Sequence, residues 1–258
     1  MKMDFEIEWH DHGAVFYISR PAKMNATTRE IWTGLADCLD ELERKQARYL
    51  VISGRGNKAF CAGTDLNESS SLDLDEKHDK NHRNRSILHR LWRSEILSCA
   101  ALNGLAFGGG MELALACTFR IAERQVRLAL PEIKLGVIPT YGGTQFLPAL
   151  VGSSVALDLM LTGRSIAADE ALSLRLVNRV VESGAAVDES IALMRSIAMF
   201  SPVAASAIRR CVSAAGPTVS QSGLDVENIE ARAVLASDDA REGVAAFLEK
   251  RQPAFRGR

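Results

Sequence analysis

The stretch from residue 99 to 118 is the most apolar in the chain, yet it cannot fold as one uninterrupted apolar element. Asn103, the triplet Gly108-Gly109-Gly110 and Glu112 all lie inside it. With glycines and a charge within it, the stretch is a poor membrane span. It reads instead as a strand over 98–103, a glycine-rich turn, and a short buried helix over 111–117. An ionised acid in such surroundings is expensive unless it is paired or chemically employed. Glu132, in Leu130-Pro131-Glu132-Ile133-Lys134-Leu135-Gly136, repeats the anomaly. Two carboxylates brought together by the fold can share one water and divide acid and base roles. The alternative is that each is an ordinary first-turn acid facing a helix dipole.

A chain of 258 residues, 47% of them hydrophobic, buries a substantial core in one large domain or in a main domain with an appendage. Its 31 basic and 32 acidic residues nearly cancel, which gives no electrostatic reason to expect nucleic acid as a partner. The N-terminus mixes acids with apolar residues and lacks a signal-peptide core. Five cysteines at 38, 61, 99, 117 and 211 show neither CxxC nor Cys/His metal spacing. Reduced thiols, a cytoplasmic location and no metal site are the expectations.

Residues 3–9 and 14–18 read as a hairpin around a His-Gly turn. A helix is expected from Thr27, with Glu30 completing a capping box and Ile31, Leu35, Cys38, Leu39 and Leu42 as its buried stripe. Residues 49–54 form a short apolar run that predicts a buried strand. The charged segment 67–85 reads as a mobile surface loop leading into a helix near 86–97. Strands are expected at 119–122 and 126–129. Beyond residue 140 the pattern becomes helix upon helix, broken by one strand-like stretch at 177–181. The division expected is a core over 1–195 and a helical region over 196–258.

Two small-residue loops each join a strand to a helix: Phe60-Cys61-Ala62-Gly63-Thr64-Asp65-Leu66 and Phe107-Gly108-Gly109-Gly110-Met111. Neither has the spacing of a dinucleotide or phosphate loop, and no GxSxG or HExxH occurs. Glycines at such junctions let a ligand approach the backbone, and the helix end adds unpaired donors. Two such loops facing one point make an oxyanion hole. Tight helix–strand packing explains the same glycines equally well.

At these residues the chain resembles the crotonase (enoyl-CoA hydratase/isomerase) superfamily. The match runs from Arg20-Pro21-Ala22-Lys23-Met24-Asn25-Ala26 through both glycine loops and Pro131-Glu132-Ile133-Lys134-Leu135-Gly136. It continues through Gly142-Gly143-Thr144-Gln145 to Ala246-Phe247-Leu248-Glu249-Lys250-Arg251. The resemblance implies an α/β fold, a spiral of ββα units with a helical C-terminal region that builds homotrimers or homohexamers. It implies an acyl-CoA substrate, with coenzyme A entering as part of the substrate and no separate cofactor. By the same resemblance, the backbone N–H groups of Thr64 and Gly109 hold the thioester oxygen. Lys23, Met24, Ala62, Asp65, Leu66 and Asn67 follow the CoA and acyl path. Asp65 also reads as a turn cap. Both glutamates together are typical of the family's hydratases: Glu112 takes a proton from the attacking water and Glu132 supplies one to Cα. Isomerisation, decarboxylation, thioester hydrolysis or a non-catalytic scaffold are the alternatives on the same fold.

Two departures bear on substrate. Thr140 and Tyr141 stand where many hydratases carry glycine and a small residue, which points to a short, branched, cyclic or polar acyl group. Asn67 replaces a common lysine and leaves one CoA phosphate contact in question.

Overall fold

The computed structural model describes residues 3–215 and 220–258. Two compact units divide the chain, Met1–Met194 and Arg195–Arg258.

In the first unit, β1 (Phe5–His10) and β2 (Gly13–Ile18) form the expected antiparallel hairpin, and α1 (Arg29–Arg44) follows. Then come β3 (Tyr49–Gly54), β4 (Ala59–Cys61), α2 (Leu66–Ser70) and α3 (Leu74–Arg93). The next turn of chain is β5 (Leu97–Leu102), β6 (Leu105–Phe107) and α4 (Gly109–Ala116). After β7 (Phe119–Glu123) and β8 (Arg127–Ala129) come α5 (Gly143–Val151), α6 (Ser153–Thr162), β9 (Ile166–Ala167), α7 (Ala168–Ser173) and β10 (Arg179–Val181). Helix α8 (Ala186–Ala198) runs across the unit boundary.

The strands sort into two sheets by alternation. One sheet has the order β1-β2-β3-β5-β7-β10, and the other β4-β6-β8-β9. Each successive pair, β3 with β4, β5 with β6 and β7 with β8, places its first strand in the large sheet and its second in the small one. The ladders β2–β3–β5–β7 and β4–β6–β8 are parallel, so their strands are joined by crossover connections. The result is a spiral of ββα units.

Side-chain amides tie the corners of this spiral, where the chain leaves one sheet for the other. Asn25 Nδ2 donates to the carbonyls of Arg55 (3.0 Å) and Ala59 (2.7 Å). One turn on, Asn103 Nδ2 donates to Gly54 and Gly56, both at 2.7 Å, and its Oδ1 accepts from Gly54 N–H at 3.3 Å. At the third corner Gln125 Nε2 donates to Asn103 O at 3.3 Å. Asn25 and Asn103 are both buried, and among the carbonyls they bind those of Gly54 and Ala59 belong to buried residues with no ready access to water. The sheets enclose a core of Phe16, Ile18, Leu50, Ile52, Phe60 and Leu102, with the expected α1 stripe against it.

Two expectations are corrected. Thr27 does not open α1 with a capping box. Thr28 is the N-cap without a side-chain bond to the helix; its hydroxyl donates to Asp4 at 2.8 Å, and Glu30 accepts from Asp4 N–H at 3.3 Å. Thr27 pairs instead with the 63–65 backbone, donating to Gly63 O at 2.7 Å and accepting from Asp65 N–H at 2.9 Å. The capping box that does form lies in the segment expected to be a loop. Asp73 accepts from Glu76 N–H at 2.8 Å and Glu76 from Asp73 N–H at 2.9 Å, opening the 20-residue α3. Its N-terminal half is polar because that half faces solvent, which hides the helical period.

The second unit holds α9 (Pro202–Ala214), α10 (Gln221–Leu235) and α11 (Asp238–Glu249). Ser237 caps α11 through Ala240 N–H. Arg210 bridges α9 to Glu230 of α10 at 2.7 Å.

Replacing Asn103 with Ala strands the buried carbonyl of Gly54 and unties the exposed turn at Gly56. A loss of about 2–4 kcal/mol in urea unfolding is expected; a change within error would show that the corner amide is dispensable.

Candidate active site

The two glycine loops meet. Residues 24–27 run alongside 62–65, with Ala62 N–H donating to Met24 O at 3.0 Å beside the Thr27 pairing described above. This sets Lys23 and Met24 beside Ala62, and Met24 and Asn25 adopt φ of 51° and 54° to make the turn. Arg20 locks the arrangement, reaching Ala26 O at 2.7 Å and the Asp65 carboxylate at 3.0 Å. Asp65 caps α2 through Asn67 N–H, and its ionised form is favoured chiefly by the Arg20 hydrogen bond. Its carboxylate is thus committed to the protein, the turn-cap role expected of it. Leu66 and Asn67, the first residues of α2, are exposed.

On the other side, Gly108 N–H donates to Ala129 O at 3.0 Å, which binds the second loop to β8 and to the turn carrying Glu132. Gly63 (φ 101°) and Gly108 (φ 52°, ψ −127°) hold backbone conformations that side chains resist. A Cβ built on Gly63 would sit 3.5 Å from Gly109 N, so the loops touch at these residues. The pairing of Thr27 uses Gly63 O and Asp65 N–H and skips Thr64 N–H. Gly109 is the first residue of α4, where helix geometry supplies no acceptor for its N–H. Two backbone donors without a role in secondary structure therefore lie on neighbouring loops.

Glu112 lies in the first turn of α4 and is 1% exposed. Its Oε1 accepts from the N–H groups of Tyr141 and Gly143, each at 2.8 Å. Burial pushes its carboxyl up to about 7, the nearby Glu132 charge adds to the rise, and the Gly143 and Tyr141 bonds oppose it. Glu132 opens a 3-10 turn, Glu132–Leu135, and burial raises its carboxyl too. Its Oε2 is enclosed without a hydrogen-bond partner among the described residues. A Cβ at Gly108 would lie 3.2 Å from Glu132 Oε1, which sets this carboxyl against the second glycine loop. The fold does bring the two glutamates together.

The chain belongs to the enoyl-CoA hydratase/isomerase family. The family model matches residues 12–258. Crotonyl-CoA hydratase of Syntrophomonas wolfei is 35% identical over 254 residues, covering 96% of each chain. Short-chain-enoyl-CoA hydratase of Clostridium acetobutylicum is 32% identical over 240 residues, 93% of this chain and 92% of that one. The crystal structure of an enoyl-CoA hydratase from Bacillus anthracis superposes with a TM-score of 0.94 at 32% identity, over 99% of this chain and all of that one. This family member carries the crotonase fold expected from its motifs.

The sequence did not single out what surrounds Tyr141. Thr140 is half-buried and Tyr141 is buried, its hydroxyl sharing a 2.8 Å hydrogen bond with Thr64 Oγ1. The ring lies across Gly109, where an added Cβ would come within 2.9 Å of it, and Trp32 of α1 meets its edge at 5.5 Å. Trp32 sits beside Ile31 on the buried face of α1 but falls outside the stripe read from the sequence.

Glu112 makes a signed prediction for stability. The unperturbed carboxyl ionises near 4.5 and the folded one near 7. Between these values the native state holds the extra proton, so stability falls as pH rises through the window and stays lower above it. The full loss is roughly 3 kcal/mol. Glu112→Gln is therefore expected to be more stable than wild type at about pH 8 and to lose that advantage near pH 4, measured by urea unfolding. An equal effect at both pH values would show that the carboxyl does not titrate in this window.

Proposed function

We propose that the protein is an enoyl-CoA hydratase, adding water across the 2,3 double bond of an acyl-CoA thioester or removing it in reverse. The observation that carries this reading is the pairing of buried Glu112 with half-buried Glu132, both with raised affinity for protons, beside two loops with spare N–H donors. The hydratase activities for which the relatives from Syntrophomonas wolfei and Clostridium acetobutylicum are named support the same reaction.

In the proposed cycle ionised Glu112 takes a proton from water as the water oxygen bonds to Cβ. The π electrons of the double bond move toward the thioester, whose oxygen becomes an enolate. The N–H groups of Thr64 and Gly109 hold that oxygen. Protonated Glu132 then gives its proton to Cα and the carbonyl re-forms. Glu112 ends protonated and Glu132 ionised, and exchange with solvent resets them. Preorganised donors at the enolate oxygen are worth about 3 kcal/mol each. Lys23, Met24, Ala62, Leu66 and Asn67 would follow the CoA moiety, which supplies no chemistry beyond the activated thioester. Tyr141, buried over Gly109, supports a preference for short or polar acyl groups.

Assembly into homotrimers or dimers of trimers in the cytoplasm is proposed from the family resemblance. The second unit supports it by exposing Ile208, Val212, Ile229, Phe247 and Leu248. Sedimentation velocity is expected to give a trimer or hexamer; a monomer at micromolar concentration would overturn the assembly.

Following the conjugated enoyl-thioester absorbance tests the reaction. Wild type is expected to bleach crotonyl-CoA faster than long-chain enoyl-CoAs, with kcat/KM rising through about pH 7 as Glu112 ionises and falling again at higher pH as Glu132 loses its proton. Glu112→Gln and Glu132→Gln should each lose roughly a hundred- to ten-thousand-fold. A wild type inert toward every enoyl-CoA would refute hydration, and faster turnover of long chains would refute the short-acyl preference.

A further inference from the structure

Arg120 places a guanidinium in the interior with carbonyl groups, rather than a carboxylate, against it. It stands on β7 at 4% exposure and reaches back to the end of α4. Its Nη1 donates to Cys117 O at 2.6 Å and approaches the carbonyls of Ala114 and Leu115 at 3.4 and 3.5 Å. Its Nε donates to Leu176 O at 2.6 Å, and its backbone N–H to Asn178 Oδ1 at 2.8 Å. The ionisable groups beside it are the thiols of Cys99 and Cys117, which burial raises to about 11 and about 12 and so leaves neutral. By contrast Arg20, Arg55, Arg90, Arg210 and Arg251 all meet carboxylates. A neutral amide satisfies carbonyls as well, so these bonds alone do not account for a charge held out of water.

The place of the charge accounts for it. All eight residues of α4 are buried, so its last carbonyls cannot turn to water, and a cation suits the negative end of a helix dipole. The same helix carries Gly109 and Glu112 in its first turn. Eight residues at about 1.5 Å each place its two ends roughly 12 Å apart. Across that distance, at an effective dielectric constant of about 20, one unit charge alters an ionisation equilibrium about tenfold. The ionisable groups packed around Glu112 and its helix are Glu132 of the 3-10 turn, Tyr141 before α5 and Cys61 of β4, all of them acids. The buried face of α3, with Asn84, Ile87, Leu88 and Leu91, carries no ionisable group. The positive charge fixed along the axis of α4 is that of Arg120.

We propose that Arg120 is a positioning residue for the reaction, anchoring α4 and, through its uncompensated charge, favouring ionised Glu112 and the enolate at Gly109. This rests on the hydration proposed above, in which both negative charges arise.

The experiment separates the charge from the hydrogen bonds. Arg120→citrulline keeps Nε and Nη1 but removes the charge, whereas Arg120→Lys keeps the charge and removes the planar fork. The readout is the rising limb of kcat/KM against pH for crotonyl-CoA. In the citrulline variant this limb is expected to move up by about one pH unit, because ionised Glu112 has lost its cation. In Arg120→Lys it stays at the wild-type position while the melting temperature falls. An unmoved limb in the citrulline variant, with only stability reduced, overturns the proposal and leaves Arg120 as a helix cap. So does an equal displacement in both variants. Arg120→Gln gives the same reading should the citrulline variant fail to fold. Failure of both neutral variants to fold assigns the charge to folding alone and also overturns the proposal. Should wild type hydrate no enoyl-CoA, the hydration reading fails by itself. Titration of the Glu112 carboxyl by NMR, in wild type and the neutral variant, then decides on Arg120 by the same upward shift or its absence.

Discussion

The Glu112 carboxylate, held by the N–H groups of Tyr141 and Gly143, is the contact on which the site depends. It joins the first turn of α4 to a loop almost thirty residues later, across an interior that disfavours charge. Two short backbone bonds only partly offset the burial, so the carboxyl is left near neutrality in its affinity for protons. A carboxylate satisfied by more donors would be a fixed anion, and one with none would be a permanently neutral acid. The intermediate state is the one suited to a general base working near neutral pH.

Tyr141 concentrates several of these constraints in one residue. Its N–H supports Glu112, its ring lies across Gly109, and its hydroxyl meets Thr64. Backbone and side chain thus support the buried carboxylate and shape the space beside Gly109 at once. A substitution at this position changes the ring and hydroxyl while retaining the N–H, so the shape of the pocket can vary with the carboxylate support in place.

Much of the fold was legible because its elements carry strong local signals. The apolar runs of β2, β3 and β5 and the stripe of α1 are buried on sight of their spacing. The glutamates stood out because acids in apolar stretches need a reason. What escaped was whatever depended on tertiary partners. Thr27 followed by Glu30 has the sequence of a capping box, but the 62–65 loop competes for Thr27 and Asp4 for Glu30. Helix α3 hid behind its solvated N-terminal half, while its real signal, Asp73 and Glu76, lay inside a segment that looked like loop. Asn84 had a readable position, in step with Ile87, Leu88 and Leu91. Only the structure reveals that a polar residue in that stripe is fully buried. Trp32 and Arg20 act through residues distant in sequence, and no local pattern marks them.

The carboxamide ties of the spiral hold the exits from β3, β5 and β7, and none of them reaches into α2 or α3. The excursion from Leu66 to Arg93 hangs between β4 and β5 without contributing a strand to either sheet. Its length and composition can therefore drift without moving the register of any ladder. In evolutionary terms this excursion is uncoupled from strand register, so it can diversify while the ladders stay the same.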